Sequence, residues 1–168
     1  GSTTGDLDNE FVQGAKDVFL RKYDSQGHVI WSQLLGSSAT ADAFGVAVDA
    51  NGNVAIAGRV TDRLNDKATG GNGDSFVAKY DSNGNEVFTR QIAPVLADQA
   101  NALTFGADGS LYVAGQTKGV MSASSTNAGG SDAYLQKLSS NGTLVYTRQL
   151  GTSGDDRASG VTVDQNGD

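Results

Sequence analysis

Cysteine is absent from this 168-residue chain, and proline, methionine, histidine and tryptophan occur once each. Without cysteine there is no disulfide staple and no thiolate metal site. The apolar runs are only a few residues long, far short of the ~20 that a helix needs to cross a bilayer, and no charged-then-apolar leader opens the sequence. The expectation is a soluble piece without membrane insertion. Positive charge is also scarce: 12 Lys and Arg stand against 19 Asp and Glu, a net charge of −7. No basic stripe exists for a phosphate backbone, which argues against a nucleic-acid partner. Glycine, by contrast, is abundant at 23 residues. With no Gly-X-Y period and almost no proline, a collagen-like rod is excluded.

What is present is a repeat. Asp17-Val18-Phe19-Leu20-Arg21-Lys22-Tyr23-Asp24 returns as Asp74-Ser75-Phe76-Val77-Ala78-Lys79-Tyr80-Asp81 and as Asp132-Ala133-Tyr134-Leu135-Gln136-Lys137-Leu138-Ser139, at intervals of 57 and 58 residues. The same register carries Gly27, Gly84 and Gly142, then Trp31, Phe88 and Tyr146. Gly45-Val46-Ala47-Val48-Asp49 matches Gly160-Val161-Thr162-Val163-Asp164, with a looser middle copy at Ala102-Leu103-Thr104-Phe105-Gly106. One unit is copied three times.

Each unit reads as four short strands. Val46-Ala47-Val48 and Val54-Ala55-Ile56-Ala57 flank Asp49-Ala50-Asn51-Gly52, a hairpin signal. Strands three and four flank a second signal of the same kind, Asp81-Ser82-Asn83-Gly84-Asn85. Strand three is apolar on both faces, as a strand covered on both sides must be. No helical stripe is sustained, so the fold class is all-β. A four-stranded antiparallel unit apolar on both faces reads as a β-propeller blade. The strands near Gly45, Ala102 and Gly160, rich in small residues, are expected innermost.

The pattern Asp-x-Phe-Val-x-Lys-Tyr-Asp-Ser-x-Gly at residues 74–84, the aromatic followed by Thr at Phe88-Thr89, then Gly-Val-x-Val-Asp-x-Asn-Gly-Asn at 45–53 and Ala57-Gly58, resembles the bacterial β-propeller repeat family often abbreviated SBBP. NHL repeats share the Val-Asp-x-Asn-Gly hairpin. The resemblance covers nearly the whole chain. It implies a secreted or cell-surface bacterial protein and no assigned activity or cofactor.

In that register the chain divides into a partial blade at 1–43, blades at 44–101 and 102–158, and the first strand of a further blade at 159–168, all one propeller domain. This is about three blades, below the roughly 4 to 8 of a closed propeller. The expectation is an incomplete propeller: a fragment, with copies completing a ring as the alternative, and with edges that promote self-association.

The tight turns fall on one side of such blades and the long connections on the other. Residues 59–73 and 116–131 join strands two and three, while 36–42, 93–99 and 151–157 lead from blade to blade. The candidate binding residues on this long-loop face are Arg59, Asp62, Arg63, Asp66, Lys118, Asp155, Asp156 and Arg157, for a protein or glycan partner. Asp42 and Asp98 join Asp155 and Asp156 as a loose, solvated acidic rim. A glycan-acting hydrolase or lyase using loop-face carboxylates is the alternative, but no catalytic residue can be named. His28 sits beside the Gly27 turn as a solvated group. The Asp-rich turns lack the sixth-position Gly and distal Glu of an EF-hand, so turn chemistry explains them without metal. Asn141-Gly142-Thr143 is a sequon that its place in a repeated turn already explains. Lys22, Lys79 and Lys137, mid-strand, call for partners, with Asp17, Asp74 and Asp132 or Asp49 and Asp164 as candidates. The repeated aromatics read as core between blades.

Overall fold

The computed structural model describes residues 1–7, 10–64, 73–92, 96–164 and 166–167. Eleven strands run in chain order: β1 (Ser2–Thr3), β2 (Asp17–Tyr23), β3 (Val29–Leu35), β4 (Ala41–Val48), β5 (Val54–Val60), β6 (Asp74–Tyr80), β7 (Glu86–Ile92), β8 (Asp98–Phe105), β9 (Leu111–Thr117), β10 (Asp132–Leu138) and β11 (Leu144–Leu150). Among the described residues there is no helix. Consecutive strands pair antiparallel into three meanders: β1-β2-β3, β4-β5-β6-β7 and β8-β9-β10-β11. Residues 160–164 carry no ladder pairing, although their neighbour Ala158 donates to the Gly115 carbonyl and accepts from Asn101 Nδ2. Ala158 therefore lies against the third sheet.

The hairpin turns follow from their sequence. At Asp49, one carboxylate oxygen accepts the backbone N–H of Asn51 and of Asn53, and the other accepts the Asn53 amide. Asp81 does the same with Asn83 and Asn85. Gly52 and Gly84 then take φ of 79° and 89°, a region that a side chain rarely adopts. The looser copy converges on the same turn, with Gly109 at φ 75° and Asp108 bonding Ser110.

The sheets stack face to face in chain order. Val18, Leu35, Ile56, Phe76, Ala78 and Tyr80 fill the layer between the first and second. Ala55, Ala57, Val77, Leu111, Val113 and Tyr134 fill the layer between the second and third. Alternate residues of β5 and β6 thus serve opposite layers, and every residue of β6 is buried. This is why the strand is apolar on both faces. Burying Phe76 completely is worth about 2–3 kcal/mol against leaving it in water.

The mid-strand lysines behave differently from expectation. Lys22 Nζ donates to the Ser82 carbonyl at 2.9 Å and Lys79 Nζ to the Ser140 carbonyl at 3.1 Å, each a turn of the following sheet. Lys137 has its nearest carboxylate at Asp108, 3.8 Å away, and lies over the Tyr112 ring. Asp17, Asp74 and Asp132 are buried but face the loops instead. Asp17 accepts the N–H of Gln13 and of Ser37, and Asp132 that of Ala128. A carbonyl at the right height satisfies the ammonium of Lys22 and Lys79 directly, and the charge of Lys79 also helps to lower the pKa of Asp49, one of the expected carboxylates.

The aromatics divide between core and junction. Phe76 and Tyr134 are core. Trp31 and Phe88 instead press on the turn glycines of the next sheet, Gly84 and Gly142, where a Cβ would meet the rings at 2.9 and 2.7 Å.

Candidate functional site

Strand two of each meander ends, and strand one of the next begins, on the long-loop side. There β5 presents Arg59, β8 opens with Asp98-Gln99, and β9 ends at Gln116-Thr117. Arg59, Asp98, Gln99 and Gln116, with Ala97, Lys118 and Ser131, line a pocket of about 220 Å³ at the junction of the second and third sheets. Gln116, Lys118 and Ser131 also line an adjoining pocket of about 430 Å³, closed by Asp155, Asp156 and Arg157. The two are repeat equivalents: Arg59 corresponds to Gln116, Asp98 to Asp156 and Gln99 to Arg157. At the matching position between the first two sheets, Lys16 forms an ion pair with Asp42, which also accepts from Ser2.

The structure thus brings Arg59, Lys118, Asp155, Asp156 and Arg157 to two neighbouring pockets. Asp62 and Arg63 do not line them. Asp62 accepts from Ser38 Oγ and from the Arg63 N–H, which holds its carboxyl below the usual range. Asp66 lies outside the described residues. Gly73, at φ 119°, lets the Arg59 guanidinium lie against the backbone, where a Cβ would meet it at 2.4 Å.

Asp98 departs most from expectation. It is not on a solvated rim but 2% exposed, and neither carboxyl oxygen has an aligned hydrogen-bond partner among the described residues. Burial pushes its pKa up to about 7; the nearby Thr117 hydroxyl opposes the shift and the charge of Asp74 adds to it. Its repeat equivalent Asp156 is satisfied by the N–H and hydroxyl of Thr152, four residues earlier. Four residues before Asp98 stands Pro94, which has no N–H to give.

Sequence reasoning also missed Gln91 and Gln149. Gln91 Nε2 donates to Asp74 and to the Asp62 carbonyl, and its Oε1 accepts from Leu64. Gln149 repeats the set with Asp132, Gly119 and Met121. Thr89-Arg90-Gln91 and Thr147-Arg148-Gln149 were the available signal. The same device recurs in both copies: a buried Asp bonded to a half-buried Gln, which also holds backbone groups of the following connection.

No group of three or more His, Cys, Asp or Glu able to hold a metal occurs among the described residues. The turn carboxylates are occupied by backbone N–H groups, as at Asp24, Asp49 and Asp81. A chelator is therefore expected to leave the melting temperature unchanged; a fall of several degrees that calcium restores would refute this.

No family model matches the chain. It is 35% identical over 172 residues to the regulatory protein FlaEY of Caulobacter vibrioides, a match that takes in 94% of this chain and only 18% of that protein. Among solved structures it is similar to a protein of unknown function from Bacteroides caccae, with 13% identity, a TM-score of 0.46, and coverage of 85% of this chain and 42% of that one.

Proposed function

We propose that this chain is part of a β-propeller, a repeat module of the kind the SBBP family exemplifies in secreted or cell-surface bacterial proteins, and that it binds a partner through its long-loop side. Sheets that stack in chain order support the propeller, as does the close approach of β4 to β8. A Cβ on Gly45 would stand 3.2 Å from the Ala102 Cα, the crowding expected of strands nearest an axis.

The pair of adjoining pockets carries the binding reading. They present Arg59, Lys118 and Arg157 beside Asp155 and Asp156, charges of both signs on a rigid scaffold. No aromatic ring lines either one, so a protein with complementary charges fits better than a glycan, which would stack on rings. The regulatory role in the name of the Caulobacter protein suits such a module. The hydrolase or lyase reading would need an accessible carboxyl that stays protonated near neutral pH beside a second carboxylate. Asp98 has the pKa for one, but both its carboxyl oxygens are buried from substrate.

The test is capture of a partner from a bacterial surface extract by the immobilised chain, identified and then titrated. Replacing Arg59, Lys118 and Arg157 together with Ala is expected to weaken binding by about a hundredfold while the melting temperature holds. Unchanged affinity would overturn the assignment.

A further inference from the structure

The two junctions between sheets differ in chemistry at their long-loop ends. Between the first and second sheets, Val18, Ala41, Val60 and Phe76 close that end as part of one apolar cluster. Moved on by one repeat, the same positions between the second and third sheets are Ser75, Asp98, Thr117 and Tyr134. Each carries a polar group, and all four residues are buried. Toward the tight turns this junction is apolar again, with Ala55, Ala57, Leu111, Val113 and Leu138 in its core.

The four groups meet. The Tyr134 hydroxyl lies beside Ser75 and feels the charge of Asp98, while the Thr117 hydroxyl, which accepts the Gly119 N–H, lies beside Asp98. Ser75 Oγ, the Tyr134 hydroxyl, both Asp98 oxygens and Asp74 Oδ1 have no aligned hydrogen-bond partner among the described residues. A carboxyl in such a place costs least with its proton on. Burial acts most strongly in that direction, the Thr117 hydroxyl opposes it, and the charge of Asp74 on β6 adds to it. Arg59 of β5 and Lys118 just beyond β9 line the same pocket as Asp98, and as cations they also oppose it.

We propose that the long-loop end of this junction is a proton-linked hinge, which closes with a proton on Asp98 and gives that proton to water when the ends of the second and third sheets part. The apolar half toward the tight turns is the fulcrum. Once open, the carboxyl is in water at its ordinary value of 3.8, against about 7 when closed. Each unit of pH between about 4 and about 7 therefore favours opening by up to about tenfold, and the effect is level above 7. The first junction has Ala41 in the place of Asp98 and does not respond. Arg59 belongs to the second sheet and Lys118 follows a strand of the third, so opening changes their spacing and regulates the pocket they share. That consequence rests on the binding reading, whereas the hinge does not.

A backbone hydrogen bond spans each junction at this end: the Asp98 N–H donates to the Gly73 carbonyl and the Ala41 N–H to the Lys16 carbonyl, both at 2.8 Å. Amide exchange at the two, corrected for the intrinsic rate at each pH, reads the junctions separately. In the intact chain, protection at Asp98 is expected to fall by at least about tenfold from pH 5 to pH 7 and then level, while that at Ala41 changes by less than about twofold. Asp98→Asn, and Asp98→Ala with the residue of the first junction, are both expected to abolish the fall. An equal fall at both amides overturns the hinge, because the whole chain would then be losing stability together. So does a flat profile at Asp98, or a fall that survives in either variant. No partner is present in this experiment, so its failure leaves the binding reading to its own test.

Discussion

Asp98→Asn is expected to stabilise the protein above pH 7, by an amount on the order of 2–4 kcal/mol, or roughly 5–10 °C in melting temperature. The carboxyl titrates at about 7 in the folded chain against an ordinary value of 3.8. Between those values the native state holds a proton that the unfolded state has released. Stability contributed by this group therefore falls as pH rises from about 4 to about 7, and is flat above. Asparagine carries no charge to bury, so the gap between the two proteins opens across that window and closes toward pH 4. Calorimetry at pH 4, 6 and 8 checks it. If the variant were less stable at pH 8, the carboxylate would have to be paired in the native state.

Gly115→Ala is expected to cost about 3 kcal/mol or more, and Gly58→Ala a similar amount. A Cβ at Gly115 would stand 2.0 Å from the Gln99 carbonyl oxygen and 2.8 Å from the Tyr134 ring; at Gly58 it would stand 1.9 Å from the Asp42 carbonyl oxygen. The obstructing oxygens belong to strand one, which bulges between Ala43 and Gly45 and between Ala100 and Ala102, so backbone would have to move. Gly5→Ala, with nothing within 4 Å, is the control and should change stability by under about 0.5 kcal/mol. Urea unfolding separates the cases. Equal midpoints for Gly115→Ala and Gly5→Ala would show that the bulge yields.

Much of the fold was legible from residues alone because it rests on local chemistry. The Asp-x-Asn-Gly turns close on their own side chains, and the alternation within β5 and β6 states that both faces are covered. The repetition supplied the register, so Arg59, Lys118, Asp155, Asp156 and Arg157 could be placed on one side before their pockets were seen. What the sequence could not reveal depends on groups distant along the chain. Lys22 and Lys79 found carbonyls about 60 residues away, and a carbonyl leaves no mark in a side-chain pattern. Asp98 looks like any loop-side acid; its raised pKa arises only when the second and third sheets close over it. The sequence by itself determined the strands, turns and period, because those are set within a few residues. The tertiary structure decided which charges are buried and what satisfies them, because burial belongs to the stack of sheets and not to any one strand.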